Sequence, residues 1–196
     1  LSHEPEIALF AQESGESVYL MMMAIPPKND VFKISDRPRE LIFIIDSSGS
    51  MSGGSMVQAK ESLYEALERL KPTDRFNIID FDSTFEPLYD SAQMATKTNL
   101  NYAKRFIRKI DADGGTEMFK PIDFALKSRD SESSKFLRQI VFITDGQSGN
   151  EEAIFNNVSY NIRNDRFFTI GIGSAPNSYL LTKLADFGRG AFTYIG

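Results

Sequence analysis

The chain has 196 residues, enough for one substantial domain that buries roughly 70% of its unfolded surface. Apolar residues make up 41% and charged residues 25%, which argues against disorder, and a net charge of −5 without a basic cluster argues against nucleic acid or anionic membrane as partners. Cysteine is absent, which removes disulfides, thiolate metal sites and thiol nucleophiles, and the apolar runs fall well short of a membrane span.

Taken in chain order, strand-like and helix-like segments alternate, the pattern of an α/β fold with a parallel sheet. Val18–Ile25 is apolar and bounded by Gly15 and by Pro26-Pro27, so it reads as a strand; the polar residues 28–39 read as a connection. Leu41–Ile45 is an unbroken apolar strand of the kind buried on both faces. From about Ser55 to Leu70, the residues Met56, Ala59, Leu63, Ala66, Leu67 and Leu70 recur at helical spacing, and Pro72 stops the helix. Arg75–Asp82 follows as a strand, Phe85–Tyr89 as a shorter edge strand, and Asn99–Ile110 as a helix. Asp113-Gly114-Gly115-Thr116 is a loop that leads to a helix at about Lys120–Lys127, and residues 128–135 read as a solvated, Ser-rich turn tolerant of change. Gln139–Thr144, a helix near Glu151–Arg163, Phe167–Gly171, a helix near Ser178–Phe187 and Ala191–Ile195 complete the set. The fold class expected is a doubly wound, mostly parallel sheet flanked by helices, with an N-terminal strand extension over residues 1–37 and the main domain over 38–196.

The chemistry concentrates where strands end. Asp46-x-Ser48-x-Ser50 puts three oxygen side chains at alternate positions after a buried strand, with Gly49 to let the backbone bend. Oxygen ligands without Cys or His suit hard cations such as Mg²⁺ or Ca²⁺. In open parallel sheets the functional crevice lies outside the carboxyl ends of the strands, at a switch in strand order. Thr116 and Asp145 fall in loops of that kind, although taken alone Thr116 reads equally as a helix cap and Asp145-Gly146 as an ordinary turn. Two carboxylates would balance a divalent ion, and the neutral hydroxyls would leave it electrophilic enough to take an outside carboxylate.

These residues resemble a von Willebrand factor type A domain. The metal-ion-dependent adhesion site of that family has the pattern Asp-x-Ser-x-Ser, a distant Thr and a distant Asp, which Asp46, Ser48, Ser50, Thr116 and Asp145 match. The resemblance covers roughly residues 38–196. A nearer likeness, to inter-alpha-trypsin inhibitor heavy chains and their bacterial cell-surface relatives, rests on Pro38-Arg39-Glu40, Asp74-Arg75-Phe76, Gly114–Met118, Thr144-Asp145-Gly146 and Gly171–Asn177. The resemblance implies a non-catalytic adhesion or protein-interaction module. In it Mg²⁺, alternatively Ca²⁺ or Mn²⁺, bridges those five residues to an Asp or Glu of a protein partner. It also implies an extracellular or cell-surface setting, within a larger protein and monomeric as an isolated domain.

Glu117, Asp82 and Gln147 lie where they would line the recognition surface, although Glu117 also reads as an early acidic residue that supports a helix start. The competing reading is a metal-assisted phosphatase or phosphotransferase with Asp46 as nucleophile. Such enzymes generally carry a second Asp two residues on, where this chain has Ser48, and Lys60 lies two turns into the helix. His3 is the only histidine and sits in the terminal segment, so a serine hydrolase has no base. Asn157-Val158-Ser159 fits a glycosylation acceptor.

Overall fold

Apolar runs that do not alternate must lose water from both faces, and here they form the inner strands of a sheet covered on both sides by helices. The computed structural model describes residues 6–25, 37–146, 149–173 and 176–196; Pro26-Pro27, most of the connection expected over 28–39, and His3 lie outside them. The chain divides into two units, Leu1–Asp36 and Arg37–Gly196.

The first unit is an antiparallel hairpin, β1 (Glu6–Ser14) and β2 (Ser17–Ile25), closed at Gly15 with a φ of +61°. The sequence reading found β2 but missed β1. Ile7–Ala11 is as long an apolar run as Leu41–Ile45, but it carries two alanines, a residue depleted in strands; β1 is defined by its register, in which Phe10 opposes Met21 and Leu9 opposes Met22.

The second unit carries β3 (Arg39–Asp46), α1 (Gly54–Glu68), β4 (Arg75–Phe81), β5 (Phe85–Pro87), β6 (Gln93–Met94), α2 (Lys97–Lys109) and α3 (Phe119–Lys127). After these come β7 (Leu137–Thr144), α4 (Glu151–Asn161), β8 (Arg166–Ile172), α5 (Ser178–Phe187) and β9 (Phe192–Ile195). Its seven strands order as β5-β4-β3-β7-β8-β9, with β6 also on β4; β5 and β6 are antiparallel and every other pairing is parallel. Strand order reverses at β3, whose neighbours are β4 on one side and β7 on the other, so the crevice opens between the carboxyl ends of β3 and β7.

Alternation along each strand divides the core. Ile42, Ile44, Ile79, Phe81, Ile140, Phe142 and Phe167 meet α3, α4 and α5 through Ile122, Ala125, Ile154, Val158, Leu180 and Leu184. Phe43, Ile45, Phe76, Ile78, Ile143 and Ile172 meet α1 and α2 through Met56, Ala59, Leu63, Leu67, Ala103 and Ile107. Two helices, α2 and α5, start on side-chain caps. Thr96 Oγ1 accepts from Asn99 N at 3.2 Å, and Asn177 Oδ1 accepts from Leu180 N at 3.1 Å.

Segment 128–135 is mostly exposed, as a solvated turn should be, but Arg129, Asp130 and Ser133 are tied into the fold. Arg129 forks onto Asp165, with its Nη1 2.9 Å from Oδ1. Asp130 binds Arg75 at 2.5 Å, and Ser133 is buried beside Glu40. Their partners lie far away in sequence, so no local pattern announces them. At the same end of the sheet Arg138 bridges Glu40 at 2.5 Å and Asp165 at 3.0 Å, and all three are buried.

Candidate metal centre

β3 ends on Asp46, whose side chain falls on the face of Ile42 and Ile44 and is fully buried. Its Oδ1 accepts from the backbone N–H of Ser48 at 2.8 Å, an Asx turn that folds the chain back over the strand end. Its Oδ2 accepts the hydroxyl of Thr144, the last residue of β7, and that hydroxyl in turn accepts from Gly146 N at 2.9 Å. Ser48 Oγ lies 3.1 Å from Ser50 Oγ, and Ser50 Oγ donates to Asp145 Oδ1 at 2.8 Å. Asp46, Ser48, Ser50 and Asp145 therefore form one continuous polar cluster across the β3–β7 crevice.

Thr116 stands outside that hydrogen-bond chain and reaches the same end of the sheet through its loop. The loop is tied to the β3 turn by Gly49 N to Gly114 O at 3.1 Å and Asp113 N to Ser47 O at 2.9 Å. The cluster is graded in depth: Asp46 and Ser48 are buried, Asp145 and Thr116 half-buried, and Ser50 exposed. A floor of carboxylate and hydroxyl thus opens toward solvent.

Burial pushes the Asp46 carboxyl above its ordinary range, while the hydrogen bonds from Thr144 and Ser48 oppose the shift and the charge of Asp145 adds to it. A buried carboxylate that burial discourages from ionising gains most from a cation, and hydroxyls supply the further oxygen donors a hard ion wants. Gly146 permits the close approach, since a Cβ there would stand 3.2 Å from Asp46 Oδ2. The donor set fits an oxygen-liganded divalent cation. Among the described residues no cluster of three or more Asp, Glu, His or Cys offers a carboxylate- or imidazole-rich alternative.

The other expected residues fall as follows. Glu117 Oε1 accepts from Phe119 N at 3.1 Å, at the start of α3. Asp82 Oδ1 accepts from Thr84 N at 2.7 Å, and its carbonyl accepts from Glu117 N at 2.7 Å, so Asp82 braces the loop that carries Thr116. Gln147 lies outside the described residues. The backbone bends at Gly49 by entering a short 3₁₀ turn, and Gly53 adopts a φ of +80° before α1. Lys60, which the phosphotransfer reading would need at the site, donates its Nζ to Ile110 O. Asn157 is buried in α4 and donates to Asp123 Oδ1 at 3.1 Å, so its side-chain amide is engaged inside the fold.

Thr144 is the site residue that sequence reasoning did not assign a role. Its signal was a single hydroxyl at the end of an otherwise apolar strand. Ser47 also escaped notice; its Oγ donates to Phe81 O at 3.0 Å and joins the β3 turn to β4.

A family model described as the von Willebrand factor type A domain matches residues 39–194. A von Willebrand factor A domain-containing protein of Dictyostelium discoideum is 34% identical over 162 residues, covering 82% of this chain and 17% of that protein. Mouse inter alpha-trypsin inhibitor heavy chain 4 is 34% identical over 158 residues, 75% of this chain and 17% of its own. The chain thus spans about one sixth of the length of these relatives. Among solved structures, a von Willebrand factor type A protein from Catenulispora acidiphila superposes with a TM-score of 0.74 at 20% identity, over 100% of this chain and 47% of that one. Manganese-loaded TRAP protein of Plasmodium vivax superposes with a TM-score of 0.65 at 17% identity, over 81% and 68%.

Proposed function

The chain belongs to the von Willebrand factor type A family, and on that premise we propose that it is a non-catalytic, metal-dependent interaction domain. Asp46, Ser48, Ser50, Thr116 and Asp145 hold one divalent cation, Mg²⁺ or alternatively Ca²⁺ or Mn²⁺, and the open side of the cluster admits an Asp or Glu of a partner protein. The cation supplies Lewis acidity toward that carboxylate. Asp46 and Asp145 supply the balancing charge, the hydroxyls supply neutral oxygen, and Thr144 orients Asp46 from beneath. The single observation that carries this reading is the continuous polar cluster from buried Asp46 through exposed Ser50 to half-buried Asp145. The manganese carried by the Plasmodium vivax neighbour adds support.

Residues 38–196 are the interaction domain and residues 1–37 an extension from a neighbouring part of a larger protein. We place that protein at the cell surface or outside the cell, and the isolated domain acts as a monomer. Asp82 and Glu117 lie beside the loop that carries Thr116, where they would flank the bound partner, and we assign Gln147 to the same recognition role from its place in the sequence.

The test is ligand linkage. Saturating Mg²⁺, Ca²⁺ or Mn²⁺ should raise the melting temperature, because an ion at a hundred times its Kd stabilises the fold by about 2.7 kcal/mol. Asp46→Ala should abolish the response. If none of the three ions shifts the transition at millimolar concentration, the reading fails.

A further inference from the structure

We propose that the cavity between β4, β5 and α2 receives one organic cation, a guanidinium or alkylammonium group on a short apolar arm. The cavity measures about 220 Å³. It is separate from the metal centre, because Asp80 falls on the sheet face of Phe76 and Ile78 whereas Asp46 falls on the face of Ile42 and Ile44.

Its acidic side is built by register. Asp80 on β4 stands directly opposite Glu86 on β5, so both carboxylates share one face, an arrangement that repels unless a positive group comes between them. Asp80 Oδ1 is buried and no donor reaches it, the one such side-chain atom among the described residues. An orphaned acceptor of this kind is costly. One water would satisfy it, yet the cavity has room for roughly seven at about 30 Å³ each.

The remaining walls choose the kind of cation. Phe106 and Ile110 are apolar and Tyr102 offers a ring face, so a hard metal ion would lack the six or more oxygens it wants. Aromatic faces beside carboxylates suit a large, weakly hydrated cation. Tyr102 already displays the preference: the Arg105 guanidinium lies 5.7 Å from its ring centroid at the rim. Neither Arg105 nor Lys109, the cations of the lining, supplies the donor that Asp80 Oδ1 lacks. Burial pushes the Asp80 carboxyl up to about 6, with the Ser47 hydroxyl opposing and the charges of Asp82 and Glu86 adding, as expected of an acid that awaits a counter-charge.

The experiment is an ¹H–¹⁵N titration of the whole 196-residue chain. The probes are n-butylguanidinium, the peptide acetyl-Gly-Arg-Gly-amide, and the same peptide with neutral citrulline. Both cations should give saturable shifts at the amides of Asp80, Phe106 and Ile110, and Asp80→Asn should weaken them at least tenfold. Tighter binding of the arginine peptide than of butylguanidinium assigns the site to a protein side chain, and the reverse assigns it to a free small-molecule guanidinium; both support the cavity's role. Should Asp80→Asn fail to unfold cooperatively, Glu86→Gln on the exposed edge strand serves instead, with a loss of about threefold expected. The proposal is overturned by an absence of saturable shifts, by an equal response to the citrulline peptide, or by unchanged binding in the variant that folds. Binding that emerges only after Arg105→Ala also overturns it, since the chain's own guanidinium would then be the occupant.

Discussion

At the scale of single residues, the acids at the sheet's carboxyl edge differ in what surrounds them. Asp46 accepts hydrogen bonds at both oxygens, whereas Asp80 keeps one oxygen without a donor. The Asp80 pKa, raised from 3.8 to about 6, means that the folded protein holds this proton more tightly than the unfolded chain does. The associated stability is present in full below about pH 4, declines as pH rises, and is lost once pH passes about 6. Asp80→Asn should therefore raise stability at pH 7.5 by about 1–2 kcal/mol, solvent screening allowed for, and should leave it little changed at pH 3.5. Urea unfolding at the two pH values checks this; equal effects at both would mean that Asp80 titrates as an ordinary surface acid.

At the scale of elements, the loop before α3 is held by its backbone. Gly114 has a φ of +78°, a region costly for residues with a side chain, and a Cβ there would stand 2.7 Å from Asp82 Oδ2. Its carbonyl also anchors Gly49. Gly114→Ala should lower stability by about 1–2 kcal/mol from backbone strain. Because the same loop carries Thr116, it should also shrink the Mg²⁺-induced rise in melting temperature by at least half. Thermal melts with and without the ion read both effects, and a full Mg²⁺ response in a destabilised variant would separate the loop's fold from the centre.

Much of this was legible beforehand, for a physical reason. Inner strands such as Leu41–Ile45 and Gln139–Thr144 advertise themselves because burial on both faces demands continuous apolar side chains. The acids after them fall at the crevice because strands end there. What stayed hidden depends on distant partners. β1 becomes a strand through its register with β2, Thr144 acquires a role only opposite Asp46, and Arg129, Asp130 and Ser133 look like a polar turn until Asp165, Arg75 and Glu40 arrive.

At the scale of the whole molecule, the sheet is polar at both ends and apolar between. The amino end is closed by Arg138, which also donates to Ala125 O at 2.7 Å while it pairs with Glu40 and Asp165. Glu40 would keep Arg75 at 3.6 Å and Asp165 would keep Arg129, so Arg138→Ala, which strips charge-assisted hydrogen bonds from two buried carboxylates without orphaning either, should cost about 1.5–3 kcal/mol. Replacing the pair together, as Glu40→Leu with Arg138→Met, should recover part of that loss. Chemical denaturation of the single and double variants measures the difference; a double variant as unstable as Arg138→Ala would show that Asp165 and the helix carbonyl matter more than Glu40.

The same two strands carry both polar ends. Glu40 faces Arg138 at the start of β3 and β7, and Asp46 takes the Thr144 hydroxyl at their finish. Sliding one strand by a single residue would turn every side chain on it to the opposite face and part both couples at once. Misaligned pairings of this strand pair are thus penalised at two separated points, which gives an otherwise uniform run of isoleucine, valine and phenylalanine an unambiguous alignment.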